Sequence, residues 1–241
     1  LTSELGKGYS SFNLKNMRKY YLFLQKSMTM SYLFKNLNIT WSNICEIMQL
    51  KNLEEIEYYL NLSNKLCLTK LELRTKIKSK EYERLDSKIK EKLVKQEEVS
   101  VRDKIPDPIV LEGLEYKERL TEKMVQKWID ENPASFCEAL GEGYTYVKSQ
   151  YKIKIGSNYN YIDILLFNYI SNSFVAVEIK VTELKKEHIG QIEFYMNYID
   201  KNLKNINQNK TIGIIICKKE NKYVIEYCSD DRILAREYEL M

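Results

Sequence analysis

An all-α first half followed by an α/β second half, whose mixed sheet is flanked by helices, is the fold class this 241-residue sequence predicts. Three observations carry the prediction. Apolar residues of the first half recur at helical spacing, whereas the second half holds short runs dense in β-branched and aromatic residues. Between them, residues 86–110 turn polar and charged and contain Pro106 and Pro108, which suit no helix interior.

The first helix is expected over Ser11 to Leu24, where Leu14, Met17, Tyr21 and Leu24 form one face behind serines able to cap; that face should be core. Further helices are expected at Thr40 to Met48, Leu53 to Lys65 and Thr69 to about Leu85, joined by short polar stretches. They make a helical domain of residues 1–90, with a linker over 91–110 and a second domain over 111–241. The second domain opens with a helix from about Glu115 to Asp130. Three strands follow, Tyr144 to Ile155, 161–168 and 174–181, as a meander whose second turn is Asn168 to Ser173. A helix from Glu183 to about Leu203 and strands at Thr211 to Cys217 and Tyr223 to Cys228 complete an αβββαβ order with one addition.

Composition narrows the function. Hydrophobic residues at 44% and aromatics at 12% exclude general disorder, and no apolar run approaches the roughly 18 residues that span a bilayer. Cys45, Cys67, Cys137, Cys217 and Cys228 are scattered, with no C-x-x-C pair for zinc or redox work, so reduced thiols in a soluble, cytoplasmic protein are expected. The chain starts at Leu1 without a basic-then-apolar leader, which leaves open whether residues precede it. The formal charge is only +4, but residues 65–95 hold eleven Lys or Arg against five acids. The plain reading of that stretch is a solvated helix face; the functional one is contact with nucleic-acid phosphates.

The chemistry is concentrated in two strands. Glu178 and Lys180 interrupt the apolar run Val175-Ala176-Val177-Glu178-Ile179-Lys180-Val181, fifteen residues after Asp163 in Tyr161-Ile162-Asp163-Ile164-Leu165. Alternation along a strand puts Glu178 and Lys180 on one face, and a hairpin in suitable register brings Asp163 beside them. Desolvating one such charge costs on the order of several kcal/mol, so three in one patch must be paired, solvated or bound to a cation. A structural ion pair at a sheet end is the plain alternative. Mg²⁺, with Mn²⁺ able to substitute, fits two carboxylates plus a backbone carbonyl and retains waters for exchange with phosphate. Lys180 would then position or help activate the attacking water and stabilise negative charge.

The spacing D-x14-E-x-K resembles the PD-(D/E)XK nuclease superfamily. Leu140-Gly141-Glu142-Gly143-Tyr144, Tyr161-Ile162-Asp163, Val177-Glu178-Ile179-Lys180, Gly190-Gln191-Ile192-Glu193-Phe194-Tyr195 and Thr211-Ile212-Gly213-Ile214-Ile215-Ile216-Cys217, in this order, are similar to YhcG-type nucleases. Gly6-Lys7-Gly8-Tyr9 and Asn13-Leu14-Lys15-Asn16-Met17-Arg18 resemble that family's N-terminal, helix-turn-helix-like domain. The resemblance implies a restriction-endonuclease-like fold over about residues 110–240 and Mg²⁺-dependent hydrolysis of DNA without a covalent intermediate. It assigns Asp163, Glu178 and Lys180 as the catalytic core, with the carbonyl of Ile179 as a further metal ligand. Ile162 stands where the family name has proline. Gln191 and Tyr195 resemble the Q-x-x-x-Y element of RecB-like members and share one helix face. An acid from the preceding helix assists the metal in many members; Glu122 is the candidate here and Glu118 the second.

Plainer readings accompany the rest. Gln191 and Tyr195 suit an ordinary helix with one part-buried aromatic, Glu122 a surface position, and the sole histidine, His188, a helix surface. Gly141 and Gly143 serve a turn rather than a phosphate loop. The rival function is a noncatalytic nucleic-acid-binding or assembly protein on a nuclease-like fold. Expected partners are DNA, a larger defence or DNA-processing complex, and a second copy through the helical half, with no membrane.

Overall fold

In the computed structural model of the chain, residues 7–25, 39–95, 97, 99–114 and 120–240 are described. Two compact units result, Leu1–Glu83 and Arg84–Met241. The first holds α1 (Ser11–Gln25), α2 (Trp41–Ile47), α3 (Leu53–Leu66) and α4 (Lys70–Lys78). Side chains of Thr40, Asn52 and Thr69 accept the orphan N–H groups at the starts of α2, α3 and α4, and Glu72 returns the bond to Thr69. Ile47, Ile56, Tyr59, Leu60 and Leu73 are buried as the core of this unit.

Two expectations change here. On α1, Met17 and Tyr21 are exposed; the more covered stripe runs through Leu14, Tyr20, Phe23 and Leu24, with Tyr20 edge-on to Trp41 at 5.6 Å. The helix expected to run to Leu85 stops at Lys78. Lys80 adopts a left-handed φ of 53°, its N–H bonds the carbonyl of Ile77, and that of Glu81 bonds Lys76. This pattern closes a helix C-terminus, usually around glycine.

The second unit contains α5 (Ser87–Val94), β1 (Ile109–Leu111), α6 (Glu122–Glu131), α7 (Pro133–Leu140), β2 (Tyr144–Ile155), β3 (Asn158–Asn168), β4 (Ser173–Glu183), α8 (Lys186–Asn202), β5 (Ile212–Lys219), α9 (Lys222–Glu226) and β6 (Ile233–Leu240). The six strands lie in the order β1-β6-β5-β4-β3-β2. β2, β3 and β4 form the antiparallel meander, and β4, β5, β6 and β1 continue in parallel. The mixed α/β sheet flanked by helices is thus present. Val125, Ile129, Phe136 and Leu140 of α6 and α7 cover one face with Ile164, Val177 and Ile214. Ile192, Tyr195, Met196 and Ile199 of α8 cover the other with Leu165, Ala176 and Ile215. A Cβ on Gly213 would stand 2.5 Å from the Met196 sulfur, so close approach of α8 to β5 requires glycine there.

The strand expected at Tyr223 to Cys228 is instead α9. β6 takes the edge of β5 at Gly213–Cys217, leaving that segment no ladder to join, and Val224 and Ile225 close a helical turn on Asn221. β1, β6, α5 and α7 lie where no element was expected, α5 within the polar stretch that begins at residue 86. Residues 115–119 of the expected opening helix lie outside the described residues, and α6 begins at Glu122 behind its Thr121 cap. No helix among the described residues is long and apolar enough to cross a membrane.

Candidate active site

The β3–β4 ladder supplies the site by ending. Its last pair is Ile164 with Val177; beyond it the strands part, and the N–H of Ile179 donates to Asp163 Oδ2 at 3.0 Å. A carboxylate therefore occupies the opening between two strands. The other oxygen, Oδ1, accepts from Gln150 Nε2 at 3.1 Å. The same Gln150 nitrogen reaches Gln126 Oε1 on α6 at 2.8 Å, and Gln126 Nε2 donates to the backbone carbonyl of Asp163 at 3.0 Å. Gln150 holds this position with a left-handed φ of 44°, uncommon for a residue with a side chain and typical of strain kept at functional sites.

Glu178 is 1% exposed. Its Oε1 accepts from Lys180 Nζ at 2.7 Å, while Oε2 is buried without a hydrogen-bond partner. Burial, then the negative charge of Asp163, pushes its carboxyl up to about 7 against the pull of Lys180. Burial likewise raises Asp163, opposed by the Ile179 N–H, Lys180 and Gln150. On Lys180, burial favours the neutral amine, but the bond to Glu178 and the charges of Glu178, Glu122 and Asp163 outweigh it and hold the ammonium above its ordinary range. A buried and a half-buried carboxylate thus share one cation, and the buried one keeps an oxygen without a hydrogen-bond partner. A divalent cation with oxygen ligands fits this donor set.

Asp163 is brought beside Glu178 and Lys180, as alternation and register predicted, and touches the backbone N–H of Ile179. Glu122 is felt electrostatically by Asp163, Glu178 and Lys180, but no hydrogen bond joins it to them. Among the described residues no three of His, Cys, Asp or Glu gather as a metal cluster. Glu118 lies outside the described residues. Gln191 Nε2 donates to Tyr195 Oη at 3.1 Å on α8, and Tyr195 is buried where the charges of Glu178, Asp163 and Lys180 reach it. His188 Nδ1 accepts the N–H of Lys185 at 3.2 Å, a reciprocal cap on α8. Burial and then Lys180 depress its pKa, which keeps that nitrogen free to accept. Gly141 and Gly143 form a turn with φ of 113° and 83°.

Gln126 and Gln150 were not anticipated. Gln126 could have been found, since it lies one helical turn beyond Glu122 on the same face; nothing in a strand of Lys and Tyr marks Gln150.

Residues 102–241 match the family model of the YhcG PDDEXK nuclease domain, and residues 1–84 that of the DUF1016 N-terminal domain. The chain belongs to the YhcG PDDEXK nuclease family. A relative, "Putative nuclease YhcG" of Escherichia coli (strain K12), is 24% identical over 270 residues, covering 97% of this chain and 72% of the relative. Similar solved structures include a repair endonuclease from Pyrococcus abyssi (14% identity, TM-score 0.35, 53% of this chain and 49% of that one). EndoMS in complex with double-stranded DNA gives 17% identity and a TM-score of 0.35 over 53% of this chain and 48% of that one. The chain spans about half the length of these two.

Proposed function

We propose that this YhcG-family nuclease hydrolyses DNA phosphodiesters with Mg²⁺ held by Asp163 and Glu178, the carbonyl of Ile179 adding a ligand and waters filling the rest. The carrying observation is the buried, unpartnered Oε2 of Glu178 beside a second carboxylate. When bound, the cation supplies Lewis acidity toward a phosphate oxygen and acidifies a water.

The chain's own residues do the positioning. Gln150 and the Ile179 N–H fix the two oxygens of Asp163, and Gln126 ties its backbone to α6. Lys180, anchored on Glu178, keeps further N–H donors for the attacking water or a phosphate oxygen and offsets charge as it develops. Water adds across the P–O bond: its oxygen bonds phosphorus, the departing oxygen gains a proton, and no enzyme nucleophile takes part. Gln191 and Tyr195, bonded to each other on α8, border the same charges and act as positioning residues.

The test is incubation of the whole chain with circular and linear, single- and double-stranded DNA in Mg²⁺, Mn²⁺ or EDTA. Strand breaks that EDTA abolishes are expected. DNA bound but intact under every ion contradicts the reading and favours a noncatalytic binder.

A further inference from the structure

Beyond the site, β2 and β3 continue as a two-stranded ribbon. The β3–β4 ladder ends at Ile164, whereas β2 and β3 stay paired out to Ile155 with Asn158. One face of this ribbon is anchored: Ile153 and Ile162 are buried in the α8 layer, and Tyr151 and Ile155 pack against it. The other face is open. It carries the cross-strand pairs Lys152 with Tyr161 and Lys154 with Tyr159; the tyrosines are 45% and 53% exposed, and both lysines are exposed. Lys152 Nζ sits 3.7 Å from the Tyr159 ring centroid. In a chain with 34 acids, residues 143–162 contain none, while holding three Lys and five Tyr.

This face leads to the reacting centre. Strand alternation makes Tyr159 and Tyr161 one row on β3 and Lys154 and Lys152 the facing row on β2; Gln150, two residues before Lys152, touches Asp163, two residues after Tyr161. Two residues advance roughly 6.7 Å, so Tyr161 and Tyr159 lie one and two such steps from the site. That spacing is comparable to successive nucleotides of an extended strand. Exposed aromatic rings interleaved with cations, on a stretch of two strands without acids, suit an unpaired nucleic-acid strand: bases stack on the rings and phosphates meet the ammonium groups. A duplex would present its bases stacked inside and leave the tyrosines unused. Lysines also discourage edge-to-edge pairing of an outer strand such as β2, but that role needs no tyrosine beside them.

We infer that the open face of the β2–β3 ribbon is a track for an unpaired DNA strand, with Tyr159 and Tyr161 as stacking platforms and Lys152 and Lys154 as phosphate contacts. The inference rests on the nuclease reading and names its substrate form: DNA with an unpaired segment beside the cleaved phosphate.

The test uses the whole chain with Asp163→Asn, so that DNA stays uncut, and fluorescence anisotropy with two probes. One is a blunt duplex; the other is the same duplex with an unpaired thymidine tail of about ten nucleotides. The tailed probe should bind about tenfold or more tighter. Adding Tyr159→Ala with Tyr161→Ala should remove that advantage and leave the blunt probe within about twofold, while Phe at both positions should retain it. Lys152→Ala with Lys154→Ala should lower the slope of log K against log salt by about 1.4 on the tailed probe alone. Equal binding of both probes, or equal losses on both from the alanine pair, overturns the track. If the parent chain with Asp163 still cleaves DNA, the nuclease reading survives that result. No binding of either probe and no cleavage by the parent chain overturns both.

Discussion

Replacing Glu178 by Gln should make the metal-free protein more stable above neutral pH. The wild-type carboxyl titrates at about 7, against an ordinary 4.5, because it is buried beside Asp163. For an acid raised on folding, the folded chain holds the proton more tightly than the unfolded one. Below about pH 4.5 both states are protonated and no penalty exists. Between 4.5 and about 7 the unfolded chain ionises first, so stability falls as pH rises, and the penalty is complete above that window. The gap corresponds to about 3 kcal/mol. Gln keeps the shape and an acceptor for Lys180 without the charge, so Glu178→Gln should recover up to about 3 kcal/mol near pH 8 and flatten the curve. The assay is urea unfolding in EDTA from about pH 5 to pH 8. Of the two tryptophans, Trp128 reports the second unit when Trp41 is replaced by Phe. A wild-type stability flat across that window, or a variant less stable than wild type at the alkaline end, refutes the reasoning.

Divalent metal should reverse this order: about 1,000 times its Kd stabilises the wild type by about 4.1 kcal/mol and Glu178→Gln far less, read by the same unfolding curves. Mn²⁺ affinity of the wild type should drop roughly tenfold per pH unit below about 7, because Glu178 must lose its proton to bind, as calorimetric titration checks. Gln150→Gly should leave stability within about 1 kcal/mol, since glycine relieves the positive φ, yet lower cleavage about tenfold by freeing Asp163. Gly143→Ala should cost about 2 kcal/mol in thermal unfolding, because its Cβ would meet Ile170 at 2.8 Å on a backbone with φ of 83°.

Strand alternation and the D-x14-E-x-K spacing made the heart of the site legible, since both are local properties of β3 and β4. Their apolar flanks announced the sheet for the same reason. Features set by distant partners were not legible. Tyr223 to Cys228 has strand-like residues, yet β6 occupies the edge of β5, and β6 itself mixes Arg and Glu into its alternation. The end of α4 depends on Lys80 adopting a conformation that glycine usually supplies. Gln150 acts on Asp163 across 13 residues, which no local pattern encodes, whereas Gln126, 37 residues away, is marked only by its place one helical turn beyond Glu122. The cations of α4 show the converse: Lys70 and Arg74 pair with Glu46 and Lys76 with Glu81, so part of the basic stretch serves the helical unit's own packing.

The most direct measurement is DNA cleavage in Mg²⁺ by wild type, Asp163→Ala, Glu178→Gln and Lys180→Ala, each verified as folded by thermal unfolding. Cleavage by the wild type alone, abolished by EDTA, is the predicted result. Undiminished cleavage by all three variants would place the chemistry elsewhere and contradict the account.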